Sequence, residues 1–450
     1  MVSFLALVTT PVEQTVLVLG AGLTGMAVAR GLDRQGYRVT LLDHLDWQDG
    51  YGMNATDTAP ILFGRHQATW QLLRSLASNT ACQPDRTVPL EFRLPDGRIA
   101  AYQSTHLPGA LQWMTSLFSF HGLAWQDRWV LFSHLEQIWE QAQSLPADLD
   151  NRLADEWLTS IGQSREARES IWNPLIQWLT GNELGHLSAA VFVQQLSTLF
   201  LGRTMDARLT LLHGSVADRF LIPLKEAVQR QHAQILTTSY APDLRIGPDG
   251  VTGVRLHDGP VLQARWYVAA LSHRALLPLL PERLLTRYAY FAQISDLETV
   301  PQMTVQFTER SAMASPRLLL LADRPFHHLT VATGGAGDIR YRLSAIGNPV
   351  LMELDDAQLT SLGRTELRLL APEIRQEDIH SVEIDRRNHA ALSLKPGAAL
   401  LRPIQKSPVG NLLIAGAWTD TGWPANVESA IVSAQRCVDI IAGHSDAEKL

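Results

Sequence analysis

The chain has 450 residues, 46% of them hydrophobic and 18% charged, with a net charge of −7 at neutral pH. This length suits two or three globular domains, and the acidic balance, with no Lys/Arg-rich run, excludes a nucleic-acid partner. Two cysteines, Cys82 and Cys437, supply neither a disulfide framework nor metal-ligand spacing, so a reducing cytoplasmic setting and no metal site are expected.

The start, Met1 to Val8, is apolar but lacks a basic n-region and is short for a signal peptide. No stretch of about 18 uninterrupted apolar residues exists, so no transmembrane helix is expected. Val16 to Leu19 reads as a short buried strand. Gly20-Ala21-Gly22-Leu23-Thr24-Gly25 follows, then Met26 to Leu32 in helical rhythm, then a second strand, Arg38 to Leu42, closed by Asp43. Strand, G-x-G-x-x-G, helix, strand and terminal acid form the dinucleotide-binding fingerprint in its full context. Gly20 permits the tight turn, Gly22 lets a pyrophosphate approach the backbone, and Gly25 lets the helix pack close to the sheet. The helix N-terminus offers free N–H groups to phosphates. Asp43 accepts hydrogen bonds from a ribose and favours FAD or NAD over NADP.

Residues 44–63 read as a loop. Gln67 to Ala77 reads as a helix, and Val88 to Tyr102 as a hairpin around Pro95-Asp96-Gly97. Residues 99–126 contain no Asp, Glu, Lys or Arg, and seven of the 12 tryptophans lie between Trp113 and Trp178. Two readings stand here: a helical domain burying its aromatics, or an apolar lid dipping into a membrane interface. Leu153 to Phe200 continues helical, and a further helix spans Leu224 to Gln231. Strand-rich sequence follows from Ala233 to Tyr240, with a hairpin carrying turns at Pro248-Asp249-Gly250 and His257-Asp258-Gly259, then a strand at Ala264 to Ala270. Residues 276–400 mix strands, at Gln302 to Phe307 and Leu318 to Ala322, with one clear helix, Asp356 to Leu370. Near the C-terminus, strand Asn411 to Ala415 meets Gly416, a turn follows, and Asn426-Val427-Glu428 leads into a helix from Ser429 to Ala442. That makes a second strand–glycine–helix site where N–H groups face a ligand.

These pieces together resemble the phytoene-desaturase and amine-oxidase flavoproteins, and most closely the hydroxysqualene dehydroxylases among them. The specific part is the segment from Asn411 to Glu428, Asn-Leu-Leu-Ile-Ala-Gly-Ala-Trp-Thr-Asp-Thr-Gly-Trp-Pro-Ala-Asn-Val-Glu. The stretches Ile171 to Leu175, Ala154 to Leu158 with Gly162 to Ser164, Val251 to Gly259 and Ala124 to Trp129 also fit it. The resemblance implies an α/β fold. A discontinuous Rossmann-type FAD domain (12–105, 213–275 and 401–444) would join a mixed α+β substrate domain (276–400) and a helical, apolar, membrane-facing region (106–212). It implies that Gly20, Ala21, Gly22, Leu23, Thr24, Gly25 and Asp43 hold the ADP half of FAD, and that the strand ending near Tyr240 reaches the adenine. Gly416 and Ala417 would meet the ribityl–pyrophosphate part, and N–H groups of Asn426, Val427 and Glu428 would face the flavin's pyrimidine edge.

Three positions depart from the family's pattern. Ala417 stands where the family has Asp or Glu. Trp47-Gln-Asp-Gly-Tyr-Gly52 replaces a Gly-Gly-Arg motif. Glu428-Ser429-Ala430 replaces Glu-Gly-Ala. The expected activity is reductive dehydroxylation of a C30 isoprenoid, hydroxysqualene, to squalene, with His186, His213, His327 and His328 as unranked proton-donor candidates and Trp418 and Trp423 as candidate channel walls. The alternatives are a carotenoid-type desaturase, and a non-catalytic descendant with weakened FAD binding that holds an isoprenoid or a partner enzyme. Expected partners are a hydrophobic isoprenoid, the inner face of the cytoplasmic membrane through residues 99–126, and other enzymes of squalene synthesis.

Overall fold

The computed structural model describes residues 14–44, 47, 60–76, 86–103, 110–134, 137–138, 148–200, 206–230, 233–257, 259–310, 315–333 and 338–447. Its organising layer is a five-stranded sheet of β1 (Thr15–Leu19), β2 (Arg38–His44), β3 (Gln234–Thr238), β4 (Trp266–Ala269) and β5 (Leu412–Ile414), in the order β5-β4-β1-β2-β3. All four pairings are parallel. A parallel sheet is covered on both faces, which explains why β1, β4 and β5 read as unbroken apolar runs. The strand order reverses at β1, which has β2 on one side and β4 on the other. That switch point opens a crevice at the C-terminal strand ends.

The helices α1 (Leu23–Asp33), α2 (Gln67–Leu76), α3 (Ile222–Arg230) and α4 (Val427–Ala447) pack with this sheet. Val16 and Val18 of β1 face α1 and α4, where Met26, Ala29, Ile431, Ala434 and Ile441 are buried. Leu17 and Leu19 point to the opposite face and join a second core beneath the helical layer. The crossing of α1 over α4 is close. A Cβ on Gly31 would lie 2.8 Å from a Val438 methyl.

A second, mixed sheet has seven strands in the order 379–392, 299–309, 339–346, 328–333, 317–321, 90–93 and 99–102. The hairpin Leu90–Arg93 and Ile99–Tyr102, joined at Pro95-Asp96-Gly97, pairs into this sheet through a parallel contact with Arg317–Leu321. One face packs on the helix Asp356–Leu370 through Met303, Val305, Phe307, Leu359 and Leu367. That helix begins at a reciprocal cap: Gln358 N donates to Asp355 Oδ1 and Asp355 N donates to Gln358 Oε1. On the other face Leu90, Phe92, Leu318 and Leu320 meet the helical layer, whose main helices are Ala110–Ser119, Trp125–Ser133, Asn173–Thr180 and Ala189–Phe200.

The structure differs from the sequence expectations in places. The helical stretch 153–200 is broken at Gly162 and at Gly181, both at positive φ. Arg168–Trp172 and Ala217–Leu221 are π-turns, for which the periodicity carries no signal. The last residues of the expected loop 44–63 are instead a strand, Ile61–Phe63, paired with Leu209–Leu211. The strand expected to run to Tyr240 stops at Thr238. Residues 45–46 and 48–59 of the expected loop, residues 104–109, Cys82 and the Trp113 side chain lie outside the described residues. No helix among the described residues is long and apolar enough to cross a membrane.

Candidate active site

The crevice at β1 is a cavity of about 590 Å³. Gly20, Ala21, Gly22, Leu23, Thr24, Asp43, Gly416 and Ala417 all line it, so strand ends 400 residues apart in sequence share one wall. The backbone explains the glycines. Gly20 has φ +99°, and a Cβ there would sit 2.5 Å from the Ala270 carbonyl oxygen. Gly25 does not touch the cavity. It lies against the Gly20 carbonyl, which a Cβ would approach to 1.9 Å. Gly22 is the contrary case: at φ −72° any residue fits, and a Cβ meets no protein atom within 4 Å because it would enter the cavity. Gly22 is the N-cap of α1 with no side-chain cap, and no acid occupies the first turn. The helix therefore presents uncapped N–H groups and its positive end to the cavity. Asp43 is held beside this turn by the Ala21 N–H, which donates to Oδ1 over 3.3 Å.

The C-terminal part of this wall is the turn after β5. Trp418, 1% exposed, donates from Nε1 to the Leu271 carbonyl at 2.7 Å. Gly416 sits at φ +155°, with the Trp418 ring where its side chain would be. The carbonyls of Ala417, Trp418 and Thr419 all accept from the half-buried Arg402 guanidinium, at 3.1, 3.1 and 2.6 Å. Burial pushes the Arg402 pKa down to about 10, still well above neutrality. The departure at 429 has a visible role: Ser429 donates from its hydroxyl to the Ala417 carbonyl at 2.7 Å and lies 2.6 Å from the Thr421 hydroxyl. The turn with Ala417 is therefore tied by a serine and an arginine.

Other expected site residues lie elsewhere. Tyr240 is 61% exposed, beyond the end of β3, stacked on His257 at 4.4 Å between ring centroids. It is outside the cavity lining, where Thr237, the register partner of Asp43, takes the place next to that carboxylate. Asn426, Val427 and Glu428 are absent from the lining too. Asn426 Oδ1 accepts from Ser429 N at 2.9 Å, as an N-cap. The Glu428 carboxylate turns away to α2, accepting from Ala68 N, Thr69 N and the Thr69 hydroxyl at 3.0, 2.9 and 2.6 Å. Burial raises its pKa, and these three hydrogen bonds oppose the rise without cancelling it. Trp47, Lys225, Thr237, Ser272 and Trp418 also line the cavity without having been expected as cofactor contacts. Ser272 carried a readable signal, a serine shortly after the buried strand Trp266–Ala269, where it caps a short helix through Ala275 N.

The histidines divide clearly. Burial pushes His327 down to about 4 and His328 down to about 3, so both are uncharged near neutral pH and neither supplies a proton as imidazolium. His186 is at the surface, 3.9 Å from Glu183. No group of three or more His, Cys, Asp or Glu among the described residues forms a metal site.

A family model described as flavin containing amine oxidoreductase matches residues 23–442. The chain belongs to that family. The family's flavin fits the cavity: an open glycine at 22, an uncapped helix N-terminus and an acid beside it are what the ADP half of FAD requires. The protein is thus an FAD-dependent oxidoreductase. Among its relatives, zeta-carotene desaturase of Synechocystis sp. is 24% identical over 475 residues, covering 95% of this chain and 96% of that protein. The 15-cis-phytoene desaturase of Synechococcus elongatus is 21% identical over 463 residues, covering 96% of each. Among solved structures, an oxidoreductase from Methanosarcina mazei aligns with TM-score 0.71 at 13% identity over 94% of this chain and all of that one. Cyclohexylamine oxidase from Brevibacterium oxydans aligns with TM-score 0.67 at 18% identity over 96% and 99%. These likenesses carry the fold.

Proposed function

We propose that this flavoprotein acts on a long-chain isoprenoid, reducing hydroxysqualene to squalene. The observation that carries the reading is a continuous run of aromatic contacts from the C-terminal signature into the helical layer. Trp423 packs edge-on against His66 at 5.1 Å, His66 against Phe63 at 5.7 Å, and Phe63 against Trp178 at 5.7 Å. Burial lowers the His66 pKa to about 3, so this run of rings bears no charge at neutral pH and would suit a hydrocarbon beside it. Bound FAD supplies hydride chemistry. The protein's part is to hold the chain, exclude water and keep the loop at 416–423 in place. Loss of the allylic hydroxyl as water takes one hydride and one proton.

Substrate access is part of the proposal. In the helix Trp125–Ser133 the usual polarity is inverted. Asp127 and Arg128 are buried, at 3% and 9% exposure, whereas Trp125 and Trp129 are 57% and 48% exposed. Asp127 accepts from Ser164 N and the Ser164 hydroxyl, and Arg128 donates to the Leu123 and Phe118 carbonyls. Phe118 packs on Trp125, Trp129 and Phe132 in one cluster. Such a platform suits the headgroup level of a bilayer, from which an isoprenoid would be drawn. If Trp125→Ser/Trp129→Ser co-sediments with liposomes as well as the parent, this role is refuted.

A second reading, carotenoid-type desaturation, is favoured by the names of the relatives. Anaerobic incubation of the photoreduced enzyme with hydroxysqualene, followed by mass spectrometry, tests the first. Squalene formation supports it. No squalene, together with desaturation of phytoene or zeta-carotene by the oxidised enzyme, refutes it in favour of the second.

A further inference from the structure

The diphosphate of FAD brings two negative charges into a cavity whose described lining holds one carboxylate, Asp43, and one cation, Lys225. Burying two phosphates requires compensating charge, and the positive end of α1 supplies only about half an elementary charge. Lys225 lies on α3, which packs beside α1 and leads directly into β3. Leu221, Ile222 and Lys225 face the cavity at i, i+1 and i+4, so two apolar residues and one cation form its outer wall on the Asp43 side. The ammonium is exposed, and no ion pair or hydrogen bond to it occurs among the described residues. A long, mobile side chain at the mouth can close over a bound phosphate at little desolvation cost.

We infer that Lys225 is the cationic contact of the FAD diphosphate, a role delivered from the helix before β3. It acts with the uncapped N-terminus of α1: the helix holds the phosphates from below, and the lysine covers them from the solvent side. The cavity's remaining lining at Ala417 and Trp418 offers no charged side chain, which leaves this contact to set much of the cofactor's residence time.

The test follows FAD release from the holoprotein after dilution, read as recovery of free-flavin fluorescence, for the parent, Lys225→Met and Lys225→Arg at low and high ionic strength. Lys225→Met should release FAD about 5- to 30-fold faster at low salt, and Lys225→Arg within about twofold of the parent. The gap should narrow as salt rises, because the lost term is screened Coulomb attraction. As a second readout, ADP should bind apoprotein of Lys225→Met more weakly than parental apoprotein, while riboflavin, which lacks phosphate, binds both equally. A parental release rate in Lys225→Met overturns the inference. So does equal acceleration in Lys225→Arg, which would indicate packing, or a gap that salt leaves unchanged.

Discussion

Glu428 holds together two parts of the chain that are 360 residues apart. Its carboxylate accepts three hydrogen bonds from the first turn of α2 while sitting in the first turn of α4, at 3% exposure. Glu428→Ala would leave two buried N–H groups without partners and strip the charge from a helix N-terminus. At about 1–3 kcal/mol per orphaned donor, part of it recovered as the Thr69 hydroxyl turns elsewhere, the cost is about 3–5 kcal/mol. Glu428→Gln keeps the shape and one acceptor oxygen, and should cost about 1–2 kcal/mol. The pH dependence has a definite sign. Burial raises the folded pKa above the unfolded one, so between those values the native state binds more protons and stability falls as pH rises. The deficit of Glu428→Gln relative to the parent should therefore narrow with rising pH. Hydrogen exchange over residues 60–76 reads the local effect, and urea midpoints at about pH 5 and about pH 8 read the trend. Parental exchange in the α2 first turn of Glu428→Ala would refute the capping role. A deficit that widens with pH would refute the sign.

Gly22→Ala should leave the melting temperature of the apoprotein near the parent's but weaken FAD at least about tenfold, since its methyl enters the cavity alone. Gly25→Ala should instead destabilise the protein by several kcal/mol (about 3 or more), because its Cβ would lie 1.9 Å from the Gly20 carbonyl; equal melting temperatures for the two variants would sink this distinction. Ser429→Gly should lower stability by about 1–2 kcal/mol and loosen the Ala417 turn, seen as a lower urea midpoint. Burial lowers His66 and His328 to about 3 and His273 and His327 to about 4. The unfolded chain therefore takes up these four protons first, so their contribution is complete above about pH 6.5 and is lost as pH falls towards 4, at about 1.4 kcal/mol per unit for each histidine. Melting temperatures that stay flat from pH 6.5 to about 4.5 would contradict that burial.

The parts of the fold that could be read from the sequence are those whose determinants are local. The β1–α1–β2 unit shows because its glycines recur at a short fixed spacing, although Gly20 answers to Ala270 and only Gly25 to a residue nearby in sequence, and β1, β4 and β5 show as unbroken apolar runs. The helix Asp356–Leu370 was legible to the residue because Asp355 and Gln358 cap it reciprocally. What was not legible depends on partners far away in sequence. Tyr240 looked like the end of a strand, but its ring is held by His257, and the role at the crevice falls to Thr237 through register with Asp43. Glu428 was read only for its backbone N–H at a helix start; that its carboxylate is bound by the N–H groups of α2 had no local signal. The inward turn of Asp127 and Arg128 had no periodic signature, because buried partners rather than hydropathy decide it. The π-turns likewise follow from packing.

The late position in the chain of β5, the edge strand beside β4, bears on how the protein is made. β1 emerges from the ribosome first, but the crevice wall it needs, from Leu412 to Trp418, is synthesised some 400 residues later. At about 5–20 residues per second the N-terminal half-site waits about 20–80 s for its complement. During that interval the surface that α4 will cover, including Gly31 and Ala29 of α1, faces solvent or a chaperone. The cavity is therefore complete only once translation has run through the turn after β5, and a chain stalled before Leu412 lacks that part of its lining.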